Sequence, residues 1–264
     1  MANDAFTIET EGLTRDFKGF RAVDNVALKV RRGSIHALIG PNGAGKTTCF
    51  NLITKFLPPS AGRIRFDGQD ITGLAPAAVA RLGLVRSFQI SATFPHLTVL
   101  ENVRIALQRK LGTSFHFWRS ERSLSHLDDT ARKLIHDVGL EAFETRQALE
   151  LPYGRKRALE IATTLALDPK VMLLDEPMAG MGREDIARIS KLIRTVAANR
   201  TVLMVEHNLS VVAELSDYIT VLARGSVLTE GTYAEVSRNP KVIEAYMGTG
   251  VGSEAHAAAG GGHS

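Results

Sequence analysis

The run Gly40-Pro41-Asn42-Gly43-Ala44-Gly45-Lys46-Thr47 fits the pattern G-x-x-x-x-G-K-[ST]. It lies between the apolar, strand-like Ala37-Leu38-Ile39 and a helix-compatible stretch that begins at Thr48. Glycines let the backbone fold into a nest whose N–H groups point at phosphate oxygens, and the N-terminus of the following helix adds positive potential. Lys46 would reach the β- and γ-phosphates, and the Thr47 hydroxyl would take a coordination position on Mg²⁺. Gly40, Asn42, Gly43, Ala44, Gly45, Lys46, Thr47 and Thr48 therefore form a candidate nucleoside triphosphate site. A second stretch, Val171-Met172-Leu173-Leu174-Asp175-Glu176, reads as a buried strand ending in adjacent carboxylates. Because side chains alternate along a strand, Asp175 can face the Mg²⁺ shell while Glu176, just past the strand end, reaches a water beyond the γ-phosphate. A glutamate placed as general base or water-positioner implies hydrolysis and not transfer to a second hydroxyl.

The elements that must position these groups are legible as changes of rhythm. Short β-type runs separated by glycine-rich turns occupy the first third: Phe6 to Glu11, Val26 to Val30, Ser34 to Ile39, and Arg63 to Phe66 closed by Asp67-Gly68. From about Thr98 to Leu167 the pattern is helical. Thr98-Val99-Leu100-Glu101 has capping-box spacing, and Leu127, Ala131, Leu134, Ile135 and Val138 recur as one buried helical face would. The β rhythm returns at Val171 to Leu174, Thr201 to Val205, Tyr218 to Leu222 and Ser226 to Thr229, with a helix over Glu184 to Ala197. Strand, helix, strand with continuous apolar runs predicts an α/β fold around a mostly parallel sheet buried on both faces. The segment 249–264, rich in Gly, Ala and Ser with His256 and His263, is expected to be a disordered tail.

Composition narrows the class. The chain has 264 residues, 44% apolar and 23% charged, and its 32 Lys and Arg against 28 Asp and Glu leave a net charge of +4. Spread over this length, that surplus does not argue for nucleic acid even at a pI near 9.3, because phosphate-backbone binding needs clustered basic groups. No window approaches the ~18 consecutive apolar residues of a membrane span, and the polar start carries no apolar signal core, so a cytosolic chain is expected. The single cysteine, Cys49, precludes an internal disulfide and a Cys-rich zinc site. It reads either as a small buried residue or as a thiol activated by the helix N-terminus.

With these motifs in view, the chain resembles the nucleotide-binding subunits of ATP-binding cassette (ABC) transporters. The resemblance rests on elements in the family's order. They are Gly40 to Thr47, Gln89 in Ser87-Phe88-Gln89, the signature-like Leu151-Pro152-Tyr153-Gly154-Arg155, Asp175-Glu176, and His207 in Val205-Glu206-His207. It implies a P-loop core with an N-terminal antiparallel β subdomain and an inserted helical subdomain at about 90–167, the ATPase spanning 1–248. Phe17, or else Phe20, would stack on adenine. Gln89 would contact Mg²⁺ or the attacking water, making Thr47, Gln89 and Asp175 the metal-facing set. His207 would hydrogen-bond the γ-phosphate, so that Lys46, Gln89, Glu176 and His207 carry the chemistry.

The match is closer to the ATPases of branched-chain and hydrophobic amino acid importers. Phe94 to Val103, Tyr153-Gly154 with Leu159-Glu160-Ile161-Ala162, and Val242 to Gly248 carry it. This implies a peripheral subunit on the cytoplasmic face of the membrane, held by permease subunits. The implied partners are a second and different ATPase and, at the level of the complex, an extracytoplasmic binding protein for amino acids or small amides. Phe94, Pro95, Leu97 and Val99 are expected to form the apolar patch that meets the membrane partner. The resemblance further implies that Leu151 to Arg155 and the loop Pro177 to Gly182 act across a dimer on the partner's ATP. Both depart from the family pattern: Pro152 replaces a small or hydroxyl-bearing residue, and Gly182 replaces Asp or Asn. The helix after the signature is expected to begin near Arg155, with Arg155 and Arg157 either on a solvated face or near a phosphate.

Two other functions compete. A soluble ABC ATPase acting on DNA or ribosomes would carry a long or zinc-bearing insertion or a second cassette, and the interval from Gln89 to Asp175 is short and free of cysteine. A non-catalytic regulatory subunit would have lost Glu176 or His207, and both are present.

Overall fold

The computed structural model describes residues 5–87, 93–110 and 127–247. Gln89 and the tail 249–264 lie outside the described residues. The chain runs β1 (Phe6–Phe17), β2 (Phe20–Val26), β3 (Lys29–Arg31), β4 (Ile35–Ile39), α1 (Lys46–Ile53), β5 (Ala61–Phe66), β6 (Gln69–Asp70), α2 (Pro76–Arg81) and β7 (Leu84–Ser87). The helices α3 (Val99–Lys110), α4 (Asp128–Asp137) and α5 (Tyr153–Leu165) follow. Then come β8 (Val171–Asp175), α6 (Arg183–Ala197), β9 (Thr201–Val205), α7 (Leu209–Leu215), β10 (Tyr218–Ala223), β11 (Ser226–Gly231), α8 (Tyr233–Ser237) and α9 (Pro240–Met247).

Two sheets organise these elements. The first, ordered β2-β1-β5-β6 with β3 also paired to β1, is antiparallel. The second is ordered β11-β10-β4-β9-β8-β7; its neighbours from β10 to β7 are parallel, and β11 closes one edge antiparallel. Every residue of β4, β8 and β9 is buried. Alternation then splits them between two cores. Ala37, Ile39, Met172, Leu174 and Met204 pack with α5 and α6. Leu38, Leu173, Leu203 and Val205 pack against α1 and the antiparallel sheet through Phe50, Leu52, Ile8 and Val30. This two-sided burial is why these strands read as continuous apolar runs.

Most local signals settle where their chemistry places them. Thr98 N–H donates to Glu101 Oε2 at 2.7 Å, and Glu101 N–H donates to Thr98 Oγ1 at 3.2 Å, so the capping box holds the start of α3. Leu127, Ala131, Ile135 and Val138 bury their side chains on the inward face of α4, and an ion pair of 3.0 Å between Arg104 and Asp128 ties α4 to α3. The expected strand Val26 to Val30 is instead the end of β2 and the start of β3. The Thr10 hydroxyl bridges the break, accepting from Leu28 N–H at 2.8 Å and donating to Val26 O at 3.0 Å, while Thr10 N–H donates to Leu28 O at 2.9 Å, so a side chain supplements the ladder there. The first strand runs past Glu11 to Phe17 through bulges in its pairing. Val99 is fully buried and belongs to the core, not to the surface patch of Phe94 and Pro95.

Candidate active site

Parallel pairing aligns the C-terminal ends of β4, β8 and β9, so Gly40, Asp175-Glu176 and Glu206-His207 leave the sheet side by side. That edge is where open α/β sheets receive ligands. The loop leaving β4 has backbone that only glycine tolerates. A β-carbon on Gly40 (φ +150°) would lie 2.1 Å from Leu222 O, and one on Gly45 (φ +97°) would lie 2.5 Å from Ala22 O. The loop is thus packed against β10 of its own sheet and against β2 of the antiparallel sheet, and Gly45 caps α1 without any side-chain acceptor. Cys49 N–H is bonded back to Gly45 O at 2.8 Å, and the N–H groups of the turn before it lie at the end of the helix where intrahelical acceptors are lacking. Such a terminus favours an anion.

Lys46 is buried and its ammonium donates to Gly40 O at 2.7 Å and Pro41 O at 3.0 Å. Burial pulls its pKa below the usual lysine range, while Glu176 and Asp175 act in the opposite sense. Lys46, Glu176 and Asp175 therefore share one electrostatic site, although Lys46 opens α1 and the two carboxylates stand at the end of β8. Thr47 is exposed, and Asp175 is buried at the end of β8. A hydroxyl and a carboxylate beside a phosphate nest are the hard oxygen donors that suit Mg²⁺, so the residues present fit that ion.

Glu176 takes φ +44°, an uncommon conformation for a residue with a β-carbon. Its N–H donates to Val205 O at 3.0 Å, and its carboxylate stands 3.8 Å from Nδ1 of His207. The helix after His207 is capped by Asn208, whose Oδ1 accepts from Ser210 N–H and Val211 N–H at 3.1 and 3.3 Å. His207 is thereby left out of the capping and faces Glu176.

Two groups at this site, Arg86 and Glu206, and the buried role of a third, Arg157, are not apparent from the sequence. Arg86, on β7, bonds Asn51 of α1 at 2.6 Å and also contacts Asp175, holding the P-loop helix against the acidic strand. Glu206 is fully buried and accepts from Met178 N–H at 3.0 Å, His207 N–H at 3.1 Å and Asn208 N–H at 3.3 Å. It joins the loop after Glu176 to the loop bearing His207, and burial raises its carboxyl above the usual range despite those donors. Arg157 is buried in α5 and reaches Glu176 O at 3.2 Å. A charged residue in or just after an apolar strand, or on the buried face of a helix, is the only signal any of them carries.

Phe17 and Phe20 pair across the turn between β1 and β2, and both are exposed, so neither is a core residue. The Arg15 guanidinium lies 4.8 Å from the centroid of the Phe17 ring. In the signature-like segment Leu151 is buried, Pro152 is exposed and Tyr153 is partly exposed. Helix α5 begins at Tyr153, earlier than expected, with Pro152 as its N-cap. Proline fits there because its fixed φ suits the turn and no helix acceptor awaits an N–H from it. Gly154 packs against Asp185, whose carboxylate leaves no room for a β-carbon. Arg155 bonds Gly139 O at 2.5 Å and lies over the Phe143 ring. Arg157 is buried against Glu160, so neither arginine extends past Pro152 and neither forms a solvated basic face. Gly182 is the N-cap of α6 and offers no side-chain acceptor to it.

Comparison with known proteins agrees with this geometry. A family model described as ABC transporter matches residues 23–179, and one described as branched-chain amino acid ATP-binding cassette transporter matches residues 226–252. The chain is 40% identical over 251 residues to the high-affinity branched-chain amino acid transport ATP-binding protein BraF of Pseudomonas aeruginosa, covering 91% of this chain and 97% of BraF. It is 38% identical over 248 residues to LivG of Escherichia coli K12, a protein of the same description, again covering 91% and 97%. Among solved structures, the ADP conformation of MJ1267, an ATP-binding cassette of an ABC transporter, superposes with a TM-score of 0.80 at 31% identity, covering 92% of this chain and 99% of that one.

Proposed function

The chain belongs to the ABC transporter family, as an ATP-hydrolysing subunit of its branched-chain amino acid importer branch, and on that premise we propose that it powers uptake of branched-chain or other hydrophobic amino acids or small amides. One observation carries the chemical part of the reading. Lys46, Asp175 and Glu176 converge at one sheet edge beside a helix N-terminus free of any side-chain cap. The N–H groups of Gly43 to Thr48 and the Lys46 ammonium bind the phosphates, Lys46 leaving its loop carbonyls to do so. Thr47 and Asp175, with Gln89, would hold Mg²⁺, which would neutralise negative charge on the phosphates. Glu176 takes a proton from water as the water oxygen bonds the γ-phosphorus and the bond to the β-phosphate oxygen breaks, giving ADP and phosphate. His207 bonds the γ-phosphate beside it, and Phe17 stacks on the adenine.

The subunit works in a nucleotide-sandwich dimer with a different ATPase, and each partner's Leu151-to-Arg155 equivalent closes on the other's ATP. The exposed Phe94 and Pro95, next to Leu149, form the surface that meets the permease. The described residues contain no helix long and apolar enough to cross a membrane. The subunit attaches through permease subunits at the cytoplasmic face. An extracytoplasmic binding protein delivers the cargo. The test is reconstitution of the complex that co-purifies with this chain, with ATP hydrolysis measured against a panel of amino acids and amides plus the binding protein. Stimulation by leucine, isoleucine, valine or a small amide is expected; a complex stimulated by none of them would contradict the cargo reading.

A further inference from the structure

Arg157 and Glu160 form an ion pair at 2.6 Å inside α5, with side chains only 5% and 2% exposed. Withdrawing two charges from water costs about as much as their attraction returns, so such a pair is weak evidence of a stabilising role. Its geometry points elsewhere. One arm of the guanidinium, Nη1, meets Glu160, and the other, Nη2, donates to the carbonyl oxygen of Glu176 at 3.2 Å. That carbonyl belongs to a residue at φ +44°, a backbone state that persists only where its surroundings hold it. The Glu176 N–H is held from the opposite side by Val205 O at 3.0 Å. The Glu176 carbonyl also accepts from Ala179 N–H at 3.1 Å. The two flanking peptides of Glu176 are therefore anchored, one to β9 and one to both α5 and its own turn, and the carboxylate projects from between them toward His207.

We propose that Arg157, aimed by Glu160, is a positioning residue that fixes the backbone of Glu176 and so the placement of its carboxylate relative to the attacking water. The proposal rests on the reading of Glu176 as the group that activates that water. Only the guanidinium fork can serve both partners: a lysine ammonium opposite Glu160 has no second arm for the Glu176 carbonyl. The pair also binds the helix that begins at Tyr153 to the residue that acts on this chain's own nucleotide, so a shift of one carries the other.

The test uses the full chain purified with its co-purifying subunits. Single-turnover ATP hydrolysis, ATP affinity and thermal unfolding are measured for Arg157→Lys, for the charge-free double variant Arg157→Met with Glu160→Met, for Glu176→Gln, and for each combined with Glu176→Gln. Misplacing a catalytic group by about 1 Å can cost on the order of 10²-fold in rate. Arg157→Lys and the double variant should each slow turnover about 10-fold or more, with ATP affinity within about twofold of wild type. Neither should slow it further in the Glu176→Gln background, because an effect transmitted through one carboxylate vanishes with it. Wild-type turnover in both variants, or an equal loss persisting in the Glu176→Gln background, would overturn the proposal and leave the pair a packing feature of α5. Wild-type turnover of Glu176→Gln alone would overturn instead the catalytic reading of Glu176.

Discussion

Glu176 and His207 lie at the ends of neighbouring parallel strands with carboxylate and imidazole 3.8 Å apart, and the peptide of Glu176 bonds β9 directly through Val205. Far apart in sequence, they become neighbours because β8 and β9 pair in register from Val171↔Thr201 to Asp175↔Val205. The carboxylate and the imidazole are thus set by sheet pairing, which suits the proposed roles of water activation and γ-phosphate binding.

Phe17→Ala should weaken ATP binding by about 1 to 3 kcal/mol, the usual range for losing a base-stacking aromatic. The ring is exposed, and Arg15 stands over it. Phe20→Ala should leave affinity unchanged. Equilibrium binding to the two variants decides the matter, and the reverse pattern would assign the stacking to Phe20.

Cys49 should resist alkylation in the native protein whether or not ATP·Mg²⁺ is present. The thiol is fully buried, and burial pushes its pKa up to about 12, overriding any activation by the helix N-terminus. Labelling should therefore track unfolding across a denaturant series. A native labelling rate that nucleotide slows would show the thiol to be reachable from the site.

Stability should fall on acidification because of His36. The Thr220 hydroxyl gives its proton to Glu230 at 2.6 Å, so it accepts from His36 Nε2 at 2.8 Å, leaving Nδ1 bare and without a partner. Burial, with Arg31 nearby, lowers the pKa to about 4. The unfolded chain binds this proton near pH 6.5 and the native protein only near 4, so the stability is complete above 6.5 and lost between those values. The loss totals about 3 kcal/mol. Urea midpoints at pH 7 and 4.5 should lie closer together in His36→Gln than in the parent; identical pH profiles would contradict the assignment.

Pro152 should make the ATP site to which this chain gives its signature segment the slower one in a heterodimer. Arg155 is held by Gly139 and Phe143 and Arg157 by Glu160, so neither guanidinium replaces the missing donor. Loss of one aligned donor to a transition-state oxyanion costs on the order of 10² to 10³ in rate. Substituting the catalytic glutamate in one subunit at a time and measuring single-turnover hydrolysis should give unequal losses, the larger from Glu176→Gln. Equal losses would show Pro152 to be tolerated.

What the sequence revealed, and what it hid, follows from the range of the forces involved. The strand Thr201–Val205 and the Thr98–Glu101 cap were legible because periodicity and capping act within a turn or two. The P-loop was legible because its glycines answer to local backbone sterics. Arg86, Glu206 and Arg157 were not, because each is defined by a partner on another element: Asp175, Met178 and Glu176. Helix α5 starts at Tyr153 and not near Arg155 because Pro152, which needs no donor there, suits the N-cap.

The division of labour between Lys46 and Glu176 is tested most directly by ATP binding and single-turnover hydrolysis in the assembled complex, with the partner's glutamate likewise substituted. If Lys46 holds ground-state phosphates, as proposed, Lys46→Ala should abolish tight ATP binding. Glu176 acts only on the attacking water, so Glu176→Gln should bind ATP like the parent and hydrolyse it about 10² to 10⁴ times more slowly. A Glu176→Gln complex that turns over ATP at the parental rate would contradict the account.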